Sequence, residues 1–103
     1  MKYDVTLITP TGGRKYQMRL CEMYVRRQRL NGIRMQWIVV DDFADSTLDY
    51  QCTDIIHRHP FWSDGQNTLG LNILAALDRI ESDICLFFED DDWYREDYVD
   101  YYY

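Results

Sequence analysis

The sequence predicts an α/β fold in which an open, mainly parallel β-sheet carries helices on both faces. Short apolar segments alternate along the chain with segments of helical periodicity, which is the element order of βαβ architectures. The apolar segments 36–40 and 84–88 are uninterrupted, as is typical of parallel strands that are covered on both faces. We therefore expect a single domain over residues 1–103, with right-handed crossovers between its strands.

The first part of the chain is predicted to form a strand, a helix and a strand. Residues 5–9 are rich in β-branched side chains and stop at Pro10, which predicts a strand that runs into a loop. Residues 15–30 contain no Gly or Pro, so we expect a helix from Lys15 to about Leu30, ended by the Asn31-Gly32 signal. The strand at 36–40 follows and ends at Asp41-Asp42.

The second part is predicted to repeat this order. Residues 53–57 are a candidate third strand, and Thr68 can cap a helix that extends to about Glu81. The segment 84–88 is predicted to be a buried strand, and the tail to Tyr103 is predicted to begin a further helix. The helix that begins after Thr68 has a predicted core-facing stripe at helical spacing, formed by Leu69, Ile73, Ala76, Leu77 and Ile80.

Composition and charge exclude some classes of function. The formal net charge is −7, which argues against nucleic-acid binding because phosphate affinity depends on clustered Lys and Arg. Basic residues crowd the first third of the chain, whereas acidic residues dominate after Leu77. Apolar segments are short, so we expect no signal peptide and no transmembrane segment, with membrane contact limited to peripheral association.

The cysteines indicate a compartment. Cys21, Cys52 and Cys85 are odd in number, far apart and without a C-x-x-C pair, which favours buried thiols over disulfides or a zinc site. A cytoplasmic location is therefore the expectation.

An acidic run follows the last apolar segment directly. Glu89, Asp90, Asp91 and Asp92 are consecutive, and neighbouring carboxylates repel one another unless solvent, a basic partner or a cation neutralises them. A hard divalent cation, Mg²⁺ or Mn²⁺, takes such oxygen ligands together with substrate phosphates. A solvated first turn of a helix is the alternative interpretation of the run.

Two further polar loops are expected at the same sheet edge. Thr9-Pro10-Thr11 ends the first strand and Asp41-Asp42 ends the second, and ligands of open α/β sheets bind beyond the carboxyl ends of the strands. A carboxylate at this edge can accept hydrogen bonds from a base or a ribose. An Asp that only starts a turn is the alternative for Asp41-Asp42. Arg14, just beyond these strand ends, is either a phosphate contact or a solvated arginine.

The order of these motifs resembles the family 2 glycosyltransferases of the GT-A fold. The resemblance spans nearly the whole chain. Its motifs are Val5-Thr6-Leu7-Ile8-Thr9-Pro10-Thr11, a helix ending in Gln28, Trp37-Ile38-Val39-Val40-Asp41-Asp42, Asn72 in a helix, and Leu86-Phe87-Phe88-Glu89-Asp90-Asp91-Asp92-Trp93.

The resemblance implies a Rossmann-like, nucleotide-sugar-binding half of a GT-A enzyme. It implies that the loop Thr9-Pro10-Thr11 lies against base and ribose, and that Asp41, with Asp42 beside it, accepts from the base, usually uracil. Asp90 or Glu89 would take the ribose-side position of a DxD-type motif. Asp91 would bind Mn²⁺ or Mg²⁺, with Glu89 as a further candidate ligand, and Asp92 would support that metal. The implied activity is metal-dependent, inverting transfer of a sugar from a nucleoside-diphosphate sugar, with UDP-sugar the expected donor.

Three departures from the family pattern bear on this interpretation. Glu89 stands where Asp is usual, Phe43-Ala44-Asp45 replaces a small polar turn, and no residue of the chain is a convincing catalytic base. The chain stops where the family's acceptor-binding half is expected to begin, so a non-catalytic or partner-dependent nucleotide-sugar-binding module is an open alternative. A nucleotidyltransferase is a second alternative, although such enzymes use a longer Gly-rich basic loop.

The carboxyl-terminal aromatic residues are the last candidates. Trp93, Tyr94, Tyr98 and Tyr101 to Tyr103 form an aromatic-rich segment, which either stacks on a sugar ring or packs against another surface. Self-association or a partner chain is therefore expected at this segment.

Overall fold

A computed structural model of the chain describes residues 1–12, 14–42, 52–57 and 69–103. It contains a single four-stranded sheet with helices packed on it. The strands are β1 (Val5–Thr11), β2 (Met35–Asp41), β3 (Asp54–His57) and β4 (Cys85–Phe87), and the helices are α1 (Lys15–Arg26), α2 (Leu69–Ala76) and α3 (Tyr98–Tyr102), with a 3₁₀ turn at Leu77–Arg79. Phe43-Ala44-Asp45 and Thr68 lie outside the described residues.

The sheet is parallel throughout, with strand order β3-β2-β1-β4. The chain moves outward from β1 through β2 to β3 and then returns to the other side of β1 as β4. The order therefore reverses beside β1, between β1 and β4. This confirms the predicted α/β open sheet, including β2 as a central strand, and it creates one topological switch point.

Helices cover both faces of the sheet, as predicted. Alternate residues of β1 and β2 separate into two cores, because successive side chains of a strand point to opposite faces. The first core joins Leu7 and Trp37 to α1 and to Val99 of α3. The second joins Ile8, Ile38 and Val40 to Ala76 of α2. The crossovers from β1 to β2 and from β3 to β4 move across the sheet in opposite directions, and two such crossovers place their helices on opposite faces when both are right-handed.

Strand β1 continues two residues beyond its predicted end. Pairing with β2 runs through Pro10 to Thr11, which aligns with Asp41. The Thr6 N–H and the Ile8 carbonyl both bond toward β4, so by alternation Pro10 also faces that side. Because β4 pairs with β1 only as far as Ile8, the missing N–H of Pro10 removes no ladder bond.

Helix α1 ends at Arg26, before the predicted Leu30. The backbone N–H of Arg29 donates to the carbonyl of Glu96 at 2.7 Å instead of continuing the helical ladder. Asn31 and Gly32 then adopt positive φ angles of 48° and 84°, so the predicted turn signal operates a few residues after the helix rather than at its end.

Helix α2 is shorter than the predicted 68–81 element, because the chain tightens into a 3₁₀ turn after Ala76. Of the predicted stripe, Ala76 is fully buried, whereas Leu77 is 52% exposed, so the prediction for Leu77 was wrong. Three residues per turn rotate successive side chains further than an α-helix does. The faster rotation moves Leu77 off the core face.

The prediction that 84–88 forms a strand buried on both faces was also wrong. Strand β4 covers only Cys85–Phe87, and Phe87 is 51% exposed. It is one of the two edge strands of the sheet, and α2 packs mainly over β1 and β2. Cys85 shares this open face, so it is not the buried thiol that the sequence predicted, whereas Cys21 is buried.

No helix among the described residues has the length and apolar character needed to span a membrane. None of the three cysteines, all of which are described, forms a disulfide.

Candidate functional site

The switch point is closed by a hydrogen bond between the two strand ends that flank it. The hydroxyl of Thr11, at the end of β1, donates to Oδ2 of Asp90 at 2.7 Å, just beyond β4. Both side chains are buried, at 6% and 9% exposure. The open-sheet rule places ligands at this crevice, so the acidic run lies where the fold favours a binding site.

Asp90 is the interior member of the acidic run. Burial raises the pKa of Asp90 above its ordinary value, while the hydrogen bond from Thr11 and the charge of Arg14 offset part of that effect. The carboxylate is therefore engaged with the protein itself. This geometry makes Asp90 an anchor for the loop, as well as the candidate ribose-side residue of the sequence prediction.

Arg14 bridges the two central carboxylates of the run. Its Nη1 lies 3.5 Å from Oδ1 of Asp90 and 3.5 Å from Oδ2 of Asp91, although nearly half of the arginine side chain remains exposed. The sequence allowed two interpretations of Arg14, as a phosphate contact or as a solvated side chain. Its position beside the run became visible only when β1 and β4 were placed as neighbours.

Glu89, Asp91 and Asp92 form the exposed part of the run. One carboxylate oxygen from each lies within 4.8 Å of the others. The close contact with Asp92 raises the pKa of Glu89, and partial burial and the charges of Asp91 and Asp90 add to this. The three residues that the sequence assigned to a metal are thus brought together, in a cluster whose charges oppose one another.

The chemistry of this cluster fits a hard divalent cation. Oxygen ligands about 2.1 Å from an octahedral Mg²⁺ lie roughly 3 to 4 Å apart, and all three side chains are exposed enough to rotate into that range. Mg²⁺ usually takes one or two carboxylates and completes its shell with water and substrate phosphate. Glu89, Asp91 and Asp92 therefore provide carboxylate oxygens that can hold a divalent cation.

The second acidic element lies at the end of β2. Asp41 is fully buried and aligns with Thr11 of β1, and Asp42 is 9% exposed. The Asp42 backbone N–H donates to the Thr11 carbonyl at 3.1 Å, and the Nδ2 amide of Asn72 in α2 donates to Asp42 Oδ2 at 3.0 Å. The ends of β1 and β2 are therefore joined by a hydrogen bond, and Asn72 of α2 contacts the Asp42 carboxylate.

Thr9 is placed differently from Thr11. Thr9 is fully buried, donates its hydroxyl to the Phe88 carbonyl at 2.6 Å and accepts the Trp37 indole N–H at 2.8 Å. Pro10, between them, is half-buried. Because the hydroxyls of Thr9 and Thr11 both bond within the chain and these residues pair with β2, the end of β1 can offer a ligand the proline ring rather than these hydroxyl groups.

A second support of the acidic run was not foreseen from the sequence. Gln28 is buried at 8% exposure. Its amide nitrogen donates to the Arg95 carbonyl at 2.6 Å, and its amide oxygen accepts the Val99 N–H at 3.0 Å. Gln28 thus holds the segment that follows the run against the end of α1. A polar residue near a predicted helix end gave no signal of this distant contact.

Aromatic packing connects this segment to the run. Tyr94 stacks on Phe88 with ring centroids 3.9 Å apart, and its hydroxyl oxygen accepts the Glu89 N–H at 2.8 Å. Burial raises the pKa of Tyr94 to about 12, so the hydroxyl stays protonated at neutral pH. The backbone of Glu89 is therefore fixed, while its carboxylate remains at the surface.

Comparison of the chain with protein-family models, with curated proteins and with solved structures finds no significant match. The resemblance to family 2 glycosyltransferases therefore stays a prediction from the sequence motifs.

Proposed function

We propose that this chain binds a nucleoside-diphosphate sugar through a divalent cation and serves in the transfer of its sugar. The observation that carries the proposal is the position of the acidic cluster. Glu89, Asp91 and Asp92 bring three carboxylates within 4.8 Å of one another, directly beside the bond that closes the switch point. A diphosphate requires such a cation to approach a carboxylate-lined edge.

The two acidic elements have separate roles in this proposal. Asp91 is the principal ligand of Mn²⁺ or Mg²⁺, with Glu89 and Asp92 as its neighbours, and Asp90 anchors the loop toward the ribose. Asp41 and Asp42 accept hydrogen bonds from the base, with Thr9-Pro10-Thr11 at the end of β1 against base and ribose. A bound cation supplies charge neutralisation at the departing nucleoside diphosphate.

The proposed donor is a UDP-sugar, the proposed stereochemical outcome is inversion, and the proposed location is the cytoplasm. The base and the stereochemistry come from the family resemblance, and the location comes from the cysteine usage. Among the described residues, Arg14 is the cation that already contacts the run, so it is placed to meet a phosphate once a metal displaces it from Asp91.

Titration calorimetry with UDP and UDP-glucose, with and without Mn²⁺, tests this proposal. Asp91→Asn should abolish the metal-dependent part of the binding. Asp78→Asn is the matched control, because Asp78 is exposed and lies far from the acidic run. The carbonyl of its neighbour Arg79 accepts a hydrogen bond from Gln36 near the amino-terminal edge of the sheet, which is the edge opposite the candidate site. Binding that ignores both the metal and Asp91 would refute the donor site.

A transfer assay with the same donors separates the remaining alternatives. Sugar transfer or donor hydrolysis identifies an enzyme, whereas metal-dependent binding without turnover identifies a nucleotide-sugar-binding module that needs a partner. Release of pyrophosphate from a nucleoside triphosphate would instead identify a nucleotidyltransferase.

A further inference from the structure

Trp93, the residue after the acidic run, is unusually exposed. Its side chain is 65% accessible, and it makes no hydrogen bond or ring contact with any residue that the structure describes. It lines two cavities, of about 450 and 540 Å³. Tryptophan combines a large apolar surface with an N–H donor, and exposed tryptophans of this kind are enriched where proteins bind.

The larger cavity combines ring faces with one charged pair. Tyr101 and Tyr102 are 77% and 60% exposed, with ring centroids 4.9 Å apart and an interplanar angle of 79°. Arg95 Nη2 donates to Asp97 Oδ2 at 3.1 Å, and Arg95 Nε lies 3.1 Å from Asp97 Oδ1 in the same ion pair. The cavity therefore offers two aromatic walls at a steep angle, Trp93 beside them, and a planar donor–acceptor pair at its polar side.

These features match the chemistry of a carbohydrate ring. The C–H face of a sugar packs on an aromatic face, while neighbouring hydroxyl groups both donate to a carboxylate and accept from a guanidinium. The cavity volume lies within the range of small-molecule sites. A second copy of the chain is a poorer occupant, because each copy carries a net charge of −7 and like charges repel.

We propose that the Trp93 cavity binds the ring of a neutral saccharide. The cavity is joined to the acidic run by Tyr94, which lines the cavity and accepts the Glu89 N–H through its hydroxyl. If the proposed donor site holds, a saccharide bound here lies next to that site and is the acceptor; this role rests on the proposed function, whereas saccharide binding itself does not.

The test is a titration with neutral sugars in the absence of nucleotide and metal. Glucose, galactose, N-acetylglucosamine and cellobiose are added to the ¹⁵N-labelled chain, and the indole Nε1–H resonance of Trp93 is followed by NMR. We expect at least one sugar to shift this resonance in a saturable way. Trp93→Ala should weaken that binding by about tenfold or more, and Trp93→Phe should recover part of it.

Tyr16→Ala is the matched control, because Tyr16 is an aromatic residue of α1, 79% exposed, that does not line the cavity. It should bind the sugar unchanged, and circular dichroism checks that each variant folds. No saturable shift with any of the sugars, or equal binding by Trp93→Ala, would overturn the proposal. Concentration-dependent dimerisation that Trp93→Ala abolishes would overturn it in favour of a second copy. Failure of UDP binding, by contrast, would leave the sugar result intact.

Discussion

The hydroxyl of Thr11 donates to Asp90 across 79 positions of sequence, at a distance of 2.7 Å. This bond joins the end of β1 to the loop after β4 at the point where the strand order reverses. It holds an interior carboxylate so that Glu89, Asp91 and Asp92 are left at the surface. The candidate site therefore depends on a contact between strand ends rather than on the acidic run alone.

Replacing Thr11 by Val tests this contact. The substitution preserves the branched shape but removes the shorter of the two side-chain hydrogen bonds to the buried Asp90 carboxylate and leaves the Arg14 contact at 3.5 Å, so we expect a loss of about 1–3 kcal/mol in the free energy of unfolding. Urea denaturation at pH 7 measures the loss. Thr11→Ser retains the hydroxyl and should recover most of the stability. Equal stability of the valine variant and the native chain would contradict the structural role.

Replacing Asn72 by Leu tests the orientation of Asp42. The Asn72 amide donates to Asp42 at 3.0 Å, so its removal takes away one of the contacts that orient the carboxylate. We expect UDP affinity to fall by about tenfold, which corresponds to about 1.4 kcal/mol. Leu74→Ala on the same helix is the control, because Leu74 is 61% exposed. Unchanged affinity of the Asn72 variant in calorimetry would show that Asp42 does not act through this bond.

Replacing Gln28 by Met tests the clamp on the segment after the acidic run. The change leaves the Arg95 carbonyl and the Val99 N–H without their present partners, so we expect a loss of about 2 kcal/mol or more in unfolding free energy. Arg29→Ala is the control, because its ion pair with Glu96 is largely exposed and should contribute under about 1 kcal/mol. Comparable losses from both variants would refute the clamp.

Replacing Asp92 by Asn tests the electrostatic opposition within the cluster. Contact with Asp92 is the main reason that the pKa of Glu89 is raised. A carboxyl group with a raised folded-state pKa destabilises the fold as pH rises from the unfolded value of 4.5 through the folded value. Asparagine can donate to Glu89, so without metal we expect Asp92→Asn to raise stability at pH 7, by under about 1 kcal/mol because the groups are exposed.

The same variant should respond less to metal. Addition of Mn²⁺ should raise the melting temperature of the native chain and raise that of Asp92→Asn by a smaller amount, because binding to the folded state stabilises it. Asp100→Asn, an exposed acidic residue of α3, should behave like the native chain. Without metal, the stability of Asp92→Asn relative to the native chain should increase from pH 4 to pH 7. A decrease of this relative stability over the same pH range would contradict the prediction.

The sequence predicted the parallel sheet and the edge where its polar loops meet, because uninterrupted apolar strands and intervening helical periods carry that information locally. It could not predict that β4 is an edge strand, since the exposure of Phe87 depends on which strands α2 covers. The early end of α1 has a similar cause, since Arg29 bonds to Glu96 far along the chain.

The candidate site was predicted in its members but not in its internal organisation. Consecutive acidic residues after a strand indicated a cation site, yet their division into a buried Asp90 and three exposed neighbours follows from the position of Thr11. The Gln28 clamp and the Arg14 bridge likewise depend on tertiary neighbours. The local sequence pattern indicates which residues are candidates for the site, and the strand order determines which of them lie close together.

Calorimetric titration of UDP-glucose in the presence and absence of Mn²⁺, on the native chain and on Asp91→Asn, tests the central claim most directly. We predict that binding requires Mn²⁺ and that Asp78→Asn retains it. Asp91→Asn should lower the affinity by at least about tenfold, or about 1.4 kcal/mol. Undetectable binding by the folded native chain, or equal binding with and without metal and Asp91, would contradict the assignment of the acidic cluster as a nucleotide-sugar site.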